Sequence, residues 1–267
     1  MTPTDLIAKV RSGVLRISIE NDNHEPLGSG TAFLVPGGIV TCSHVLPPNQ
    51  QDFTVVIERD DAENGATKNQ VRLLGKDVLA RIKKSSHKDD DDYVFIECDG
   101  LDDFDGCHRF EFIKSGCLRV GQEVVFLGFP FGYNHLTSHI GYISAIYFYM
   151  TQKMIQIDGS VNKGNSGGPL LDIGSGKVVG LITRAESGFL EKAFNELRES
   201  FDRNIEFVKS HPIGIRVGNF DMQEAFNVTQ NQLKQLALNI QRSANVGIGI
   251  AYSTDPLLKY LAEKAAK

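Results

Sequence analysis

Lys163-Gly164-Asn165-Ser166-Gly167-Gly168-Pro169-Leu170 sets a serine in a tight turn with glycine on both sides, followed at once by an apolar segment. Glycine lets the backbone bend where a Cβ would clash, and it leaves room for a carbonyl group to approach the hydroxyl. A turn of this kind aims the N–H groups of Gly164 and Ser166 at one point, where the negative charge of a tetrahedral intermediate would collect. Losing one such donor costs on the order of a hundred- to a thousand-fold in rate, a physical reason for glycine at position 164. The pattern predicts a nucleophile and its oxyanion hole in one loop. The alternative is a glycine-rich hairpin that happens to hold a serine, so the decision falls to the remainder of the chain.

A serine hydroxyl becomes a good nucleophile when a base takes its proton and a third group fixes the tautomer of that base. Ser29-Gly30-Thr31-Ala32-Phe33-Leu34-Val35 followed by Gly38-Ile39-Val40-Thr41-Cys42-Ser43-His44-Val45-Leu46 reads as two strands around a Pro-Gly-Gly turn, with His44 just past the second. His44 therefore stands at a strand end, where it can project into a cleft. Asp89-Asp90-Asp91-Asp92 stops abruptly at the apolar Tyr93-Val94-Phe95-Ile96. Charge runs usually face water, which suits Asp89 to Asp91. Asp92 is the last carboxylate before the buried stretch, so it can be partly desolvated and accept the imidazole N–H.

On these residues the chain resembles a trypsin-fold serine protease, and more narrowly the protease domain of the HtrA/Deg group. Residues 29 to 45 match the family's Ser-Gly-x-x-Phe and Ile-Val-Thr strands ahead of its histidine, Asp92 its aspartate before an apolar strand, and residues 164 to 168 its Gly-Asn-Ser-Gly-Gly. Val124 to Gly132, Ser138 to Ala145 and Ile155 to Asp158 are similar to the strands and turn between these anchors. Phe129, Val94 and Ser253 depart from the family pattern without touching the three catalytic positions. The resemblance implies catalysis by His44, Asp92 and Ser166, an oxyanion hole of Gly164 and Ser166 amides, and an acyl-enzyme intermediate. It also implies a substrate pocket lined by Ser160, Val161, Lys163, Thr183 and Ile248. Ser160, six residues before the serine, offers no carboxylate for a Lys or Arg side chain, so cleavage after small or medium apolar residues is expected. Asn165 stands where trypsin-like zymogens carry the aspartate that pairs with a freed N-terminus. Control is therefore expected from ordering of the loop at Lys163 and Gly164, from oligomerisation, or from a partner.

The expected fold is mostly β: two six-stranded antiparallel barrels, a helical insertion in the C-terminal half and a C-terminal helix. Residues 1–267 form one protease domain, with the first barrel over about 13–115 and the second over 118–186 plus 245–252. Thr4 to Ser12 reads as a short helix capped by Thr4. Leu190, Ala193, Phe194, Leu197, Phe201, Ile205 and Val208 fall at helical spacing, and Asp221 to Glu224 resembles a capping box, so 187–244 is read as the insertion. Its apolar stripe is expected to cover the barrel. Gating of the cleft, a homo-oligomer contact or a regulatory protein partner is its sharper role. Residues 254–266 form the closing helix, and no PDZ domain is expected to follow.

Composition narrows the function classes. With 267 residues, 41% hydrophobic and 23% charged, the chain can bury a full core. A net charge of −5 and no basic cluster longer than Lys83-Lys84 argue against nucleic acid as a partner. Met1 to Leu15 carries no secretory pattern and no apolar run is long enough to span a bilayer, so no membrane partner and a cytoplasmic location are expected. Cys42, Cys98, Cys107 and Cys117 follow no metal-ligand spacing and are read as structural thiols. Leu101 to Gly106 looks like the opening of a calcium loop. With Gly106 sixth, its first and twelfth ligands would be Leu101 and Phe112, which have no side-chain oxygen. No cofactor or metal is expected, and the partner is a protein or peptide substrate. The rivals are a catalytically quiet protease-fold module that binds or senses peptides, and an esterase; against the latter, Pro169-Leu170-Leu171 continues as a strand where a nucleophile elbow enters a helix.

Overall fold

The computed structural model describes all residues except 48–51, 61–69, 99–103, 186–188, 212, 213, 215, 219, 244–246, 266 and 267. Leu101, Asp102 and Asp103 of the calcium-loop-like stretch and the expected insertion limits at 187 and 244 lie outside the described residues. Helix α1 (Pro3–Val10) opens the chain. Its cap is Thr2, not the expected Thr4. The Thr2 hydroxyl accepts from the Asp5 amide at 3.2 Å, Asp5 reaches back to the Thr2 amide, and Pro3 presets the first helical φ.

Strands β1 (Val14–Glu20), β2 (Pro26–Val35), β3 (Gly38–Thr41), β4 (Thr54–Arg59) and β5 (Gln70–Leu74) precede helix α2 (Gly75–Arg81), and β6 (Ile82–Ser85) and β7 (Val94–Glu97) follow it. They form one antiparallel sheet in the order β5-β4-β1-β2-β3-β7-β6. The second half contributes β8 (Glu123–Gly128), β9 (Thr137–Tyr149), β10 (Gln152–Asp158), β11 (Pro169–Asp172) and β12 (Val178–Ala185). Helix α3 (Phe189–Ser210), the short hairpin β13 (Arg216–Val217) and β14 (Phe220–Asp221), and helix α4 (Met222–Ser243) come next, before β15 (Ile248–Ser253) and helix α5 (Asp255–Ala265). Strands β10-β15-β12-β11-β8-β9 close into a barrel. The mostly β, trypsin-like double-barrel architecture is present, with one refinement. The first half has seven strands where six were expected, because Ile82–Ser85 pairs with β7 ahead of the acidic loop.

Alternation along the strands explains the apolar runs. In β2, Ala32 and Leu34 point into the core of the first sheet with Ile17, Ile39, Val55 and Ile96, whereas Phe33 and Val35 point the other way. In β8, Val124 and Phe126 fill the closed barrel with Ile143, Ile157 and Leu170, and Val125 and Leu127 point outward. The outward sets from both halves meet in a shared layer with Phe95, Phe110, Leu171 and Leu181. Strands buried on both faces read as continuous hydrophobic sequence, and the two halves are bonded by that layer. Fully burying one such side chain stabilises the fold by about 1.5–3 kcal/mol.

The chain forms two compact units: Met1–Ala185 with Gly247–Lys267, and Glu186–Val246. In the smaller unit α3 and α4 pack together, with Ile205 and Ala237 buried. Asp221 caps α4 by accepting from the Gln223 and Glu224 amides at 3.0 and 3.2 Å. Asn204 bonds Gln230, and Lys234 pairs with Asp202 across the helices.

Candidate active site

A single 3-10 turn, Ser43–Val45, follows β3 and lifts His44 off the strand end, leaving its side chain 35% exposed. The chain comes back to it through the loop between β6 and β7. There Ser86 N–H donates to Tyr93 O, and the Asp90 and Asp92 amides both donate to His87 O, which coils the acidic run into a compact turn. Asp92 closes that turn with φ 47°, a left-handed conformation that Asp tolerates better than most residues. The reversal separates neighbours: the Asp89 side chain is 77% exposed, while Asp92 is 1% exposed. Gln152 of β10 donates to the Asp89 carbonyl and braces the loop from the second barrel.

The buried Asp92 carboxylate is well satisfied. His44 Nδ1 lies 2.6 Å from Oδ2, Thr183 Oγ1 donates to Oδ2 at 2.9 Å, and Oδ1 accepts from Ser43 Oγ at 2.8 Å and from His44 N–H at 3.1 Å. Burial pushes this carboxyl up, but the His44 and Ser43 bonds outweigh it and hold Asp92 below the ordinary carboxylate value of 3.8. Asp91 next to it goes the other way, raised by burial and by the charge of Asp90. Against an ionised Asp92, the His44 tautomer that satisfies the 2.6 Å contact is the one with its proton on Nδ1, which leaves Nε2 as the acceptor.

The serine loop is folded by its glycines. Gly164 has φ 100°, and a Cβ there would lie 2.3 Å from Phe129 O; Gly167 has φ 87°, and a Cβ there would lie 2.1 Å from Thr31 O. No other residue fits either position without moving backbone. Phe131 N–H holds the Lys163 carbonyl at 2.6 Å, Asn165 O accepts from Gly168 N–H at 2.9 Å, and Ser166 O accepts from Thr31 N–H at 2.8 Å. The Ser166 hydroxyl donates to Thr183 O at 2.7 Å. His44, Gly164 and Ser166 line one cavity of about 420 Å³, with Leu27, Ser29 and Leu46 among its other walls.

Of the five residues expected in the substrate pocket, this cavity takes in Lys163. Thr183 is buried and joins Asp92 to Ser166 through its hydroxyl and its carbonyl. Ser160 is exposed, and Val161 is buried against Gly249, where an added Cβ would come within 2.4 Å of Val161 Cγ2. Ile248 is half-buried. Sequence reasoning missed Ser43, Thr31 and Gln152. Ser43 was within reach of inspection because it neighbours His44. Thr31 and Gln152 act on residues far along the chain, and their own letters carry no such signal.

Cys42 adds a thiol beside these groups. Its Sγ, the His44 ring and the Asp92 carboxylate lie within 4.8 Å of one another, a spacing that can suit a cation. The 2.6 Å contact of His44 with Asp92 leaves no gap for an ion between them. Burial, then the charge of Asp92, pushes the Cys42 thiol well above its ordinary range, and it donates to Ile182 O at 3.3 Å. A protonated, bonded thiol is a packing group rather than a ligand.

The profile of the trypsin-like peptidase domain family matches residues 28–181. A probable periplasmic serine endoprotease DegP-like of Pseudomonas fluorescens is 29% identical over 177 residues, 64% of this chain and 32% of that protein. A protein of the same name from Hahella chejuensis is 27% identical over 228 residues, 77% of this chain and 42% of its own length. The chain thus spans less than half of these relatives. Among solved structures, Deg5 superposes with a TM-score of 0.52 at 27% identity, over 68% of this chain and 83% of that one. The HtrA-type protease AlgW with tripeptide superposes with a TM-score of 0.53 at 20% identity, over 68% of this chain and 54% of that one, a likeness of fold. The expected cytoplasmic location is overturned, because these relatives are named as periplasmic proteases. Among the described residues no helix is long and apolar enough to cross a membrane.

Proposed function

Because the chain belongs to the trypsin-like peptidase domain family, we propose that it is a serine endopeptidase in which Ser166 attacks, His44 carries the proton and Asp92 orients His44. The observation that supports this most is the 2.6 Å contact of His44 Nδ1 with a buried Asp92, on a histidine sharing one cavity with Ser166. For attack, the Ser166 hydroxyl leaves Thr183 O by rotation about χ1 and donates to His44 Nε2. As Ser166 Oγ bonds to the scissile carbonyl carbon, its proton passes to Nε2. The oxyanion accepts from the Gly164 and Ser166 amides. The imidazolium, stabilised by Asp92, then protonates the leaving amine, and water repeats the sequence on the acyl-enzyme.

The substrate in this reading is a protein or peptide, cut after small or medium apolar residues, and the location is the periplasm named for the relatives. Active-site labelling with a serine-directed phosphonate tests the chemistry. Wild type should be labelled and Ser166→Ala should not. Equal lack of reaction in both would favour a quiet peptide-binding module. A cleavage profile dominated by Arg or Lys before the cut would overturn the assigned preference.

Control belongs to the helical unit. Along α4, Met222, Phe226, Leu233, Leu236 and Ile240 recur at the seam period of helix-on-helix packing, and all of them are exposed. Ala225, Gln232 and Asn239 flank this seam on one side and carry no charge, while on the other side Gln223 and Gln230 bond α3 and Ala237 is buried. The same face of a second copy therefore meets no like charge, and a second copy of this chain is the proposed occupant.

A further inference from the structure

We infer that Thr31 is a positioning residue for the oxyanion loop, holding it from the first sheet through both sides of its hydroxyl. The inference rests on the reading of Ser166 as the nucleophile. Thr31 lies on β2 and is 0% exposed, so it touches no substrate. Its Oγ1 donates to Gly164 O at 2.7 Å and accepts from Phe129 N–H at 3.0 Å. Its N–H donates to Ser166 O at 2.8 Å, and its carbonyl accepts from Thr41 Oγ1 at 2.7 Å. Every polar group of this residue is engaged, and the hydroxyl and the N–H both end on the loop or on the segment that supports it.

The geometry makes these bonds directional. In a trans peptide the N–H lies opposite the preceding carbonyl, so fixing Lys163 O fixes the direction of Gly164 N–H. Lys163 O is held by Phe131 N–H at 2.6 Å. Phe131 belongs to the 129–132 turn, which Thr31 Oγ1 holds at Phe129, while the same oxygen holds Gly164 O. One hydroxyl thereby sets the spacing between the turn that orients the first oxyanion donor and the residue that carries it. Thr31 N–H fixes the carbonyl of the nucleophile itself. A valine in this place keeps the shape and the N–H but leaves Gly164 O and Phe129 N–H without their shared partner.

The test compares Thr31→Val, Thr31→Ala and Thr31→Ser with wild type by peptide cleavage, phosphonate labelling and hydrogen–deuterium exchange. Thr31→Val should lower kcat and the labelling rate by about ten- to a hundred-fold, below the loss of a whole oxyanion donor, with KM within about three-fold. Exchange of the 162–168 amides should quicken about ten-fold while β1 and β10 keep wild-type protection, and Thr31→Ser should restore rate and protection together. If Thr31→Val does not fold, Thr31→Ala carries the same expectations. Wild-type kcat and loop protection in the valine and alanine variants would overturn the inference, as would a change in KM alone or a uniform loss of protection. Should wild type itself prove unreactive, the proposed chemistry fails, and the exchange data still decide whether Thr31 holds the loop.

Discussion

The hydroxyl of Ser166 donates to the carbonyl oxygen of Thr183 at 2.7 Å, while the hydroxyl of the same threonine donates to Asp92 at 2.9 Å. One residue of β12 thus touches both the proposed nucleophile and the proposed orienting carboxylate. Thr183→Val removes the bond to Asp92 and leaves the carbonyl in place. A hydrogen bond to a charged group contributes about 1.5–3 kcal/mol, so the Asp92 carboxyl should shift upward and kcat should fall about ten-fold or more. Steady-state kinetics of Thr183→Val against wild type checks the loss, and an unchanged kcat would show that Asp92 orients His44 without this bond.

Asp92 also couples stability to acid. Its folded carboxyl is held below the ordinary 3.8, the depressed case, so its contribution is present above 3.8 and is lost as pH falls through the lower folded value. Asp92→Asn should flatten the thermal midpoint against pH below 3.8. The same change should lower kcat by about 10⁴-fold, because an amide cannot fix the His44 tautomer as a carboxylate does.

Two histidines act at higher pH. Burial lowers His139 from 6.5, and His108 is lowered by burial and by Lys9. His139 stacks on Phe126 at 4.7 Å, and its buried Nε2 has no partner among the described residues. Both bind protons less readily when folded, so stability should decline as pH falls from about 6.5 toward their folded values. His139→Phe keeps the stacking and should reduce that decline, as melting curves at pH 7.5 and pH 5 would reveal.

Gly164→Ala would place a Cβ 2.3 Å from Phe129 O at φ 100°. The loop must move to relieve it, which turns one oxyanion donor away and should cost about a hundred- to a thousand-fold in kcat. Steady-state kinetics checks the loss; an alanine variant with wild-type kcat would remove Gly164 from the oxyanion hole.

The exposed seam of α4 predicts concentration-dependent self-association. Sedimentation of wild type should show a dimer that Leu233→Glu and Leu236→Glu each convert to monomer without altering the melting of the catalytic unit. A wild type that stays monomeric at high concentration refutes the proposed occupant.

Most strands, the two long helices and the chain order of the three candidate catalytic residues were legible in the sequence, whereas helix α2 was not. The continuous apolar runs Ala32-Phe33-Leu34-Val35 and Val124-Val125-Phe126-Leu127 mark strands locally, and the need for glycine around Ser166 is local as well. The end of an acidic run at Tyr93 likewise singled out Asp92, since desolvation follows from apolar neighbours. Tertiary structure alone decided what depends on residues distant in the chain. Thr31 reaches Gly164, Gln152 reaches Asp89, and Thr183 reaches Asp92 and Ser166. The seven-stranded first sheet, the exposure of Ser160 and the resting direction of the Ser166 hydroxyl belong to the same class. A hydrogen bond such as that of Thr31 with Gly164, 133 positions apart, leaves no periodicity in the sequence, because its geometry is set by how two independently patterned sheets pack.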